Sequence, residues 1–262
     1  MRRHLALLAA SVRLSLLLTL QYRFELVLDT FFQLFWTGTA LLPLWLVFEE
    51  RPMIAGYTYP EALCVTGFFT VLQGVLEGVI QPSLASVVEH VRNGTLDFVL
   101  LKPADAQFLV STHRFAPLRA VNVAAGLAIF VHAFSRMGRT PAPVDVLLAL
   151  GLLGGAVLVL YSLWILTVSA AFYVGRIDNL RYLFSAVFDA ARWPASVYRG
   201  VLAFVLTFVI PLALMTSVPA DALLGRMSAA AGLSTLAATV LFVSLSRLVW
   251  VRSVARYTSA SS

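Results

Sequence analysis

Val146–Gly175 reads VLLALGLLGGAVLVLYSLWILTVSAAFYVG, thirty residues without a single charge. About 20 apolar residues suffice for a helix to cross about 30 Å of hydrocarbon. This run would be about 45 Å long as a helix, so it must tilt or extend beyond the lipid. Apolar backbone in lipid has to satisfy its own hydrogen bonds, so it is read as helix rather than strand.

Five further apolar stretches flank this one. Leu26–Phe48 contains only Asp29, Ala62–Ile80 only Glu77, and Phe115–Phe134 only Arg119. Gly200–Ala220 and Met227–Ser246 carry no charge, and the last is bracketed by Arg226 and Arg247. Alternating ten-residue barrel strands are absent. The expected fold class is therefore an all-α membrane protein, one transmembrane domain over residues 1–262. Its six transmembrane helices are placed at 26–48, 60–81, 113–134, 144–175, 195–210 and 227–246.

Composition supports the same class. The chain is 60% hydrophobic and 12% charged, whereas soluble domains carry about 25% charged residues. Disorder, collagen and coiled coil are excluded, and a soluble enzyme is argued against. The net charge of +6 comes from eighteen Arg and Lys102 against thirteen acids. These charges lie between apolar blocks rather than in one patch, which favours membrane over nucleic acid. A lone Cys64 excludes an internal disulfide and a Cys-cluster metal site, and is expected to be a small core residue. Arg13 interrupts the first apolar run too early for a cleaved signal, and apolar blocks continue to the end.

The positive-inside rule orients the spans. With a cytoplasmic N-terminus, the inside holds Arg2, Arg3, Arg13, Arg23, Arg92, Lys102, Arg114, Arg119, Arg176, Arg181, Arg192, Arg199, Arg247, Arg252 and Arg256. The outside holds Arg51, Arg136, Arg139 and Arg226. Both termini are accordingly expected inside. Within residues 1–25, Leu5–Gln21 is nearly long enough to span, but a central Arg13 would cost about 2.5–3.5 kcal/mol. It is read as an interfacial helix on the cytoplasmic face, the alternative being a seventh span. Pro211 and Pro219 each remove a backbone donor from the fifth apolar block. The fifth span is therefore set at 195–210, and Pro211–Leu224 is expected to be re-entrant on the outer side, or else part of a kinked span.

No G-x-x-x-x-G-K-[ST], G-x-S-x-G, H-E-x-x-H or C-x-x-C occurs, so the chain has no recognisable nucleotide-binding loop or hydrolytic motif. His4, His90, His113 and His132 are far apart, without carboxylates at ligand spacing. No catalytic, cofactor or metal residue is assigned. The informative segment is the cytoplasmic loop 82–112. There Leu84, Val87, Val88 and Val91 form one apolar stripe at helical spacing. Pro82 suits a helix start and Gly94 a left-handed C-cap. An amphipathic helix of this kind can dock on a partner or lie on the membrane. Asn93-Gly94-Thr95 matches a glycosylation acceptor but falls inside. Gly74-x-x-x-Gly78 and Gly151-x-x-x-Gly155 suit close helix packing within the subunit. Asp29, Glu77 and Arg119 are the possible intramembrane polar residues, able to snorkel, pair or contact substrate.

The whole chain resembles a permease subunit of the ABC type-2 exporter family, in its six-span bacterial branch. The resemblance rests on Tyr22-Arg23, Gly56, the Gly94-Thr-Leu-Asp97 run leading to Leu100 and Pro103, and Arg192-Trp193-Pro194 with Tyr198. It continues through Pro211, Pro219, Trp250 and Arg256-Tyr257-Thr-Ser259. Lys102 stands where this branch often has Arg. The resemblance implies a multi-pass protein of the bacterial cytoplasmic membrane that pairs with a second permease, identical or paralogous. It also implies a separate ATP-binding subunit that binds and hydrolyses the ATP, so this chain has no cofactor of its own. The family's coupling helix maps onto Ser86, Val87, Val88, Glu89, His90, Val91, Arg92 and Asn93, followed by Gly94 and Asp97. The alternative function is an ion-coupled transporter or channel without an ATPase, which would need polar groups near the bilayer midplane.

Overall fold

The computed structural model describes residues 2–21, 23–173 and 178–257. Tyr22, the end of the longest apolar run with Arg176, and Thr258-Ser259 of the terminal motif lie outside the described residues. Helix α1 is Arg2–Gln21 and α2 is Arg23–Glu50. They are followed by α3 (Tyr59–Val75), α4 (Gln81–Arg92), α5 (Asp97–Leu100) and α6 (Ala106–Ser111). Next come α7 (Ala120–Met137), α8 (Pro143–Ser169) and α9 (Asp178–Asp189). The chain ends with α10 (Gly200–Phe204), α11 (Val218–Leu223) and α12 (Ala229–Ala255). No named strand occurs among the described residues.

Among the described residues, five helical rods are long and apolar enough to cross a membrane: Leu26–Glu50, Tyr59–Arg92, Pro117–Met137, Pro143–Phe172 and Ala229–Ala255. Short connections at 51–58, 138–142 and 224–228 gather at one end of the bundle. The long connection 93–116 lies at the other end.

Two expectations are corrected here. The amphipathic helix does not start afresh at Pro82. It continues α3 through a π-helical turn at Leu76–Ile80, making one rod from Tyr59 to Arg92. Proline has no N–H to give the carbonyl four residues earlier. That carbonyl, on Gly78, is instead taken by the Ala116 N–H at 2.8 Å, from the loop before α7. The π turn and the proline thus leave an acceptor that pins a second segment. The helix ends as its sequence suggests. Gly94 has φ +65°, its N–H bonds to Val91 O, and the Thr95 N–H bonds to His90 O. This is a Schellman closure.

The second correction concerns the fifth span. Residues 195–210 are not one helix. A 3-10 turn at Ala195–Val197 gives way to extended Tyr198 and Arg199, then α10, then a π turn at Val205–Val209. The Ala195 N–H bonds to Ser217 Oγ at 3.1 Å across a sequence separation of 22, so the residues between them run in and return as a hairpin. Its inner turn is at Ile210-Pro211, and its return limb is the π turn Ala213–Ser217 with α11. The hairpin therefore covers 195–223, a longer stretch than the 211–224 expected to be re-entrant. The climb before it is made by α9 and the 3-10 turn Ala190–Arg192. A search for charge-free windows passes over that stretch because Asp178, Arg181, Asp189 and Arg192 lie in it. Ser196 Oγ donates to Ala55 O at 3.0 Å, at the short-connection end. Arg192 and Arg199 thus flank a segment held in that half, rather than at the end of the long loop.

The core forms two packed zones. Leu63, Cys64, Phe68, Ile129, Ala149 and Ala220 fill the half with the short connections. Leu72, Leu84, Val87, Leu160, Ile165, Met215 and Trp250 fill the other half. The α3–α7 pair is closely apposed. A Cβ on Gly74 would lie 3.0 Å from Asn122 Cβ, and one on Gly78 would lie 3.2 Å from Arg119 Cβ. These two glycines serve packing within the subunit, as does Gly155, which faces Thr239; Gly151 faces open space.

Candidate functional site

The three charges that stand alone in their apolar runs meet in space. Arg119, just before α7, lies 3.3 Å from Glu77 and 3.9 Å from Asp29. Its guanidinium also donates to Gln33 Oε1, and Gln73 Nε2 donates to Glu77 Oε1 at 3.0 Å. One turn of α2, the end of α3 with the π turn that follows it, and the N-cap of α7 thus build one polar cluster. Two carboxylates share one guanidinium, a pairing that offsets the cost of removing each charge from water. A small polar pocket of about 50 Å³ carries this stripe toward the other end, past Thr37, Thr66, Thr70 and Arg192. Arg192 sits 5.0 Å over the Phe69 ring, and its carbonyl accepts from Thr66 Oγ1 at 3.3 Å. Neither Gln33 nor Gln73 was singled out from the sequence. Their spacing of four residues from Asp29 and Glu77, on the same helix faces, was the available signal.

The long connection is built on α4. Its apolar stripe faces inward: Val87 is 0% exposed and Leu84 1%, while Val88 and Val91 pack partly buried against the core. Ser83 exchanges two hydrogen bonds with the Arg114 backbone, donating through Oγ to its carbonyl and accepting from its N–H at 3.0 Å. The stripe is therefore filled by this chain's own residues. Of the remaining candidate coupling residues, Glu89, Arg92 and Asn93 are exposed. Ser86, His90, Gly94 and Asp97 are half-buried. The outermost apolar groups are Phe98 (71% exposed) and Leu101 (81%), on and beside α5.

Behind this tip, α6 is anchored by polar contacts no motif announced. Asp105 caps α6 by accepting from the Phe108 N–H at 3.0 Å. Its carboxylate is gripped by Arg247 of α12 at 2.6 and 3.2 Å, and Arg247 also donates to Gln107 Oε1 at 2.8 Å. Gln107 Nε2 donates to Tyr161 OH of α8 at 3.0 Å, and Ser111 Oγ lies 2.8 Å from the same hydroxyl. The Arg247 bonds hold the Asp105 carboxyl below the usual carboxylate range. The tip is thus joined through two turns of helix to two membrane-length rods. Helix α1 also attaches at this end, with Ser15 Oγ accepting from the Phe115 N–H at 3.1 Å.

The other end has its own clamp. Arg226 donates to Asp221 Oδ1 at 2.8 Å, lies 3.3 Å from Glu61 and stacks 4.2 Å over Tyr57. Tyr57 OH donates to Asp221 at 3.0 Å. Burial first, then Asp221, pushes the Tyr57 phenol up to about 12. The connection 51–58, the start of α3 and the hairpin's return limb are closed together.

A multi-span helical bundle with a hairpin at one end and an anchored polar loop at the other has the architecture of a multi-pass membrane protein. The family of ABC-2 family transporter proteins matches residues 34–261. The chain belongs to that family and is a multi-pass permease-type membrane protein. No curated protein and no solved structure matches it.

Proposed function

We propose that this chain is the membrane subunit of an ATP-driven exporter whose ATP is bound and hydrolysed by a separate subunit, with a second permease copy or paralogue beside it. The observation that carries the reading is the tip Phe98–Lys102. It presents two exposed apolar side chains at the end of the bundle, and Asp105, Gln107 and Ser111 tie it to α8 and α12. An element that a partner can push, and that cannot move without moving two rods, is what coupling requires. Nucleotide can drive transport only by binding differently to two arrangements of such an element.

On this reading the docking side chains are Phe98 and Leu101, with Glu89, Arg92 and Asn93 at their border. The buried stripe Val87–Val91 transmits rather than docks. The test is to co-express the chain with its genetic neighbours, purify it with any ATPase that it retains, and introduce Phe98→Glu with Leu101→Glu. Loss of ATPase co-purification and of transport, with an unchanged melting profile, is expected. Retention of both would overturn the docking role.

The basic residues and loop lengths support placement in a bacterial cytoplasmic membrane with both termini inside. The contacts of α1 with the long-connection end support an interfacial first helix.

A further inference from the structure

We propose that the cavity between α1 and the long connection binds a phosphate-bearing anion. The cavity holds about 290 Å³, at the small end of ligand pockets. Leu7 and Ser11 of α1 form one wall, and α4 and the 95–113 segment form the others. Three nitrogen groups reach it from separate elements: His90 from α4, Lys102 beside α5, and His113 after α6. No carboxylate lines it, and Lys102 makes no ion pair among the described residues.

Two of the lining hydroxyls are already used as donors. The Ser86 hydroxyl donates to Ser83 O at 2.7 Å and the Thr112 hydroxyl to Phe108 O at 2.8 Å. His90 Nδ1 is engaged with Thr95 Oγ1 at 2.8 Å, which leaves Nε2 outside that contact. What remains, beside the Ser11 hydroxyl, is a set of cationic or proton-bearing nitrogens facing a space with no acceptor charge. A ligand that only accepts hydrogen bonds and carries negative charge completes such a set. Burial, then Lys102, His90 and Arg114, hold the His113 imidazole below the ordinary histidine value.

Helix α1 also presents Leu14, Leu17 and Leu18 outward, placing the cavity mouth beside an apolar surface suited to acyl chains. The phosphate can therefore come from an anionic lipid headgroup or from a soluble phosphate.

The full chain is reconstituted in nanodiscs of phosphatidylcholine, of phosphatidylcholine with phosphatidylglycerol, and of phosphatidylcholine with added inorganic phosphate. The His113 imidazole is followed by NMR and unfolding by heat. Loading moves the His113 titration upward and raises the melting temperature. A response to phosphatidylglycerol alone assigns the lipid headgroup, and a response to inorganic phosphate as well assigns the soluble anion. Lys102→Gln weakens the response about fivefold, whereas Arg136→Gln, at the opposite end, leaves it unchanged. A His113 titration that moves in neither lipid nor phosphate overturns the proposal. So does a Lys102→Gln response equal to that of the unsubstituted chain.

Discussion

Arg247 and Asp105 form a two-pronged ion pair, at 2.6 and 3.2 Å, between the last rod and the N-cap of the loop helix α6. Both side chains are close to half exposed, so the pair contributes at most about 1 kcal/mol to stability. Its importance is geometric, because it fixes where the loop moves when the rod moves. Arg247→Gln should therefore lower the melting temperature slightly while reducing ATP-driven transport severely. Arg247→Lys should rescue only part, since an ammonium cannot reproduce the fork. Transport in proteoliposomes, read beside thermal unfolding, separates the two effects.

The same pair fixes a pH dependence. Asp105 titrates below its ordinary value because Arg247 bonds favour the carboxylate. A depressed carboxyl contributes stability above the unfolded value of about 3.9, and loses it as pH falls through the folded value. Attachment of α6 should hold from neutral pH to well below 5 and fail only in stronger acid. Hydrogen exchange of the Phe108 amide, followed against pH, is the measurement. Protection already lost near pH 6 would contradict the assignment.

Arg119 is shared by Glu77 and Asp29, so its removal strands two carboxylates. Arg119→Leu should destabilise by about 2–3 kcal/mol, somewhat below the 3–5 kcal/mol of fully buried pairs because the cluster is partly open. Adding Glu77→Gln should recover part of that loss, since one stranded charge is removed. If the cluster serves packing, Glu77→Gln alone leaves transport independent of a proton gradient. A gradient dependence that disappears in Glu77→Gln would instead favour ion coupling. Melting curves and pH-jump flux assays decide this.

Much of the fold could be read from the chain because lipid imposes a length on apolar runs. The runs around Asp29, Glu77 and Arg119 each became a rod. Contacts between distant residues could not be read so directly. The Leu84–Val91 stripe reveals an apolar face but not its occupant, and the occupant is this chain's own core. The fifth climb was missed because Asp178, Arg181, Asp189 and Arg192 interrupt it, while the charge-free 200–220 window belongs to a hairpin. Charge counting identifies apolar runs, and it cannot tell a through-going span from a hairpin whose incoming limb is exposed and whose return limb is buried. Arg247, Gln107 and Tyr161 lie on three separate elements, and nothing in their local sequence signals that they meet.

Asn122 makes no side-chain hydrogen bond among the described residues, although it is fully buried between α7 and α3. A buried amide without partners costs about 1–3 kcal/mol. Its Cβ is also the group nearest the space above Gly74. Asn122→Ala should be neutral or raise the melting temperature, an uncommon sign for a core truncation. A fall of several degrees would show that the amide has a partner in the membrane.

Gly126 and Gly151 offer the sharpest contrast for the packing of the rods. A Cβ on Gly126 would come within 2.6 Å of Val71 Cγ2 and 2.9 Å of the Gly67 carbonyl. That carbonyl belongs to a backbone that cannot give way without parting α3 from α7. A Cβ on Gly151 meets nothing within 4 Å. Gly126→Ala should therefore cost about 1–3 kcal/mol through overpacking. Gly151→Ala should be neutral or stabilise by up to about 1 kcal/mol, because alanine restricts the unfolded chain and favours helix. The two substitutions are chemically identical and both lie in membrane rods, so any general effect of adding a methyl group cancels between them. Equal melting temperatures for the two variants would show that α3 and α7 are not in the close contact described here.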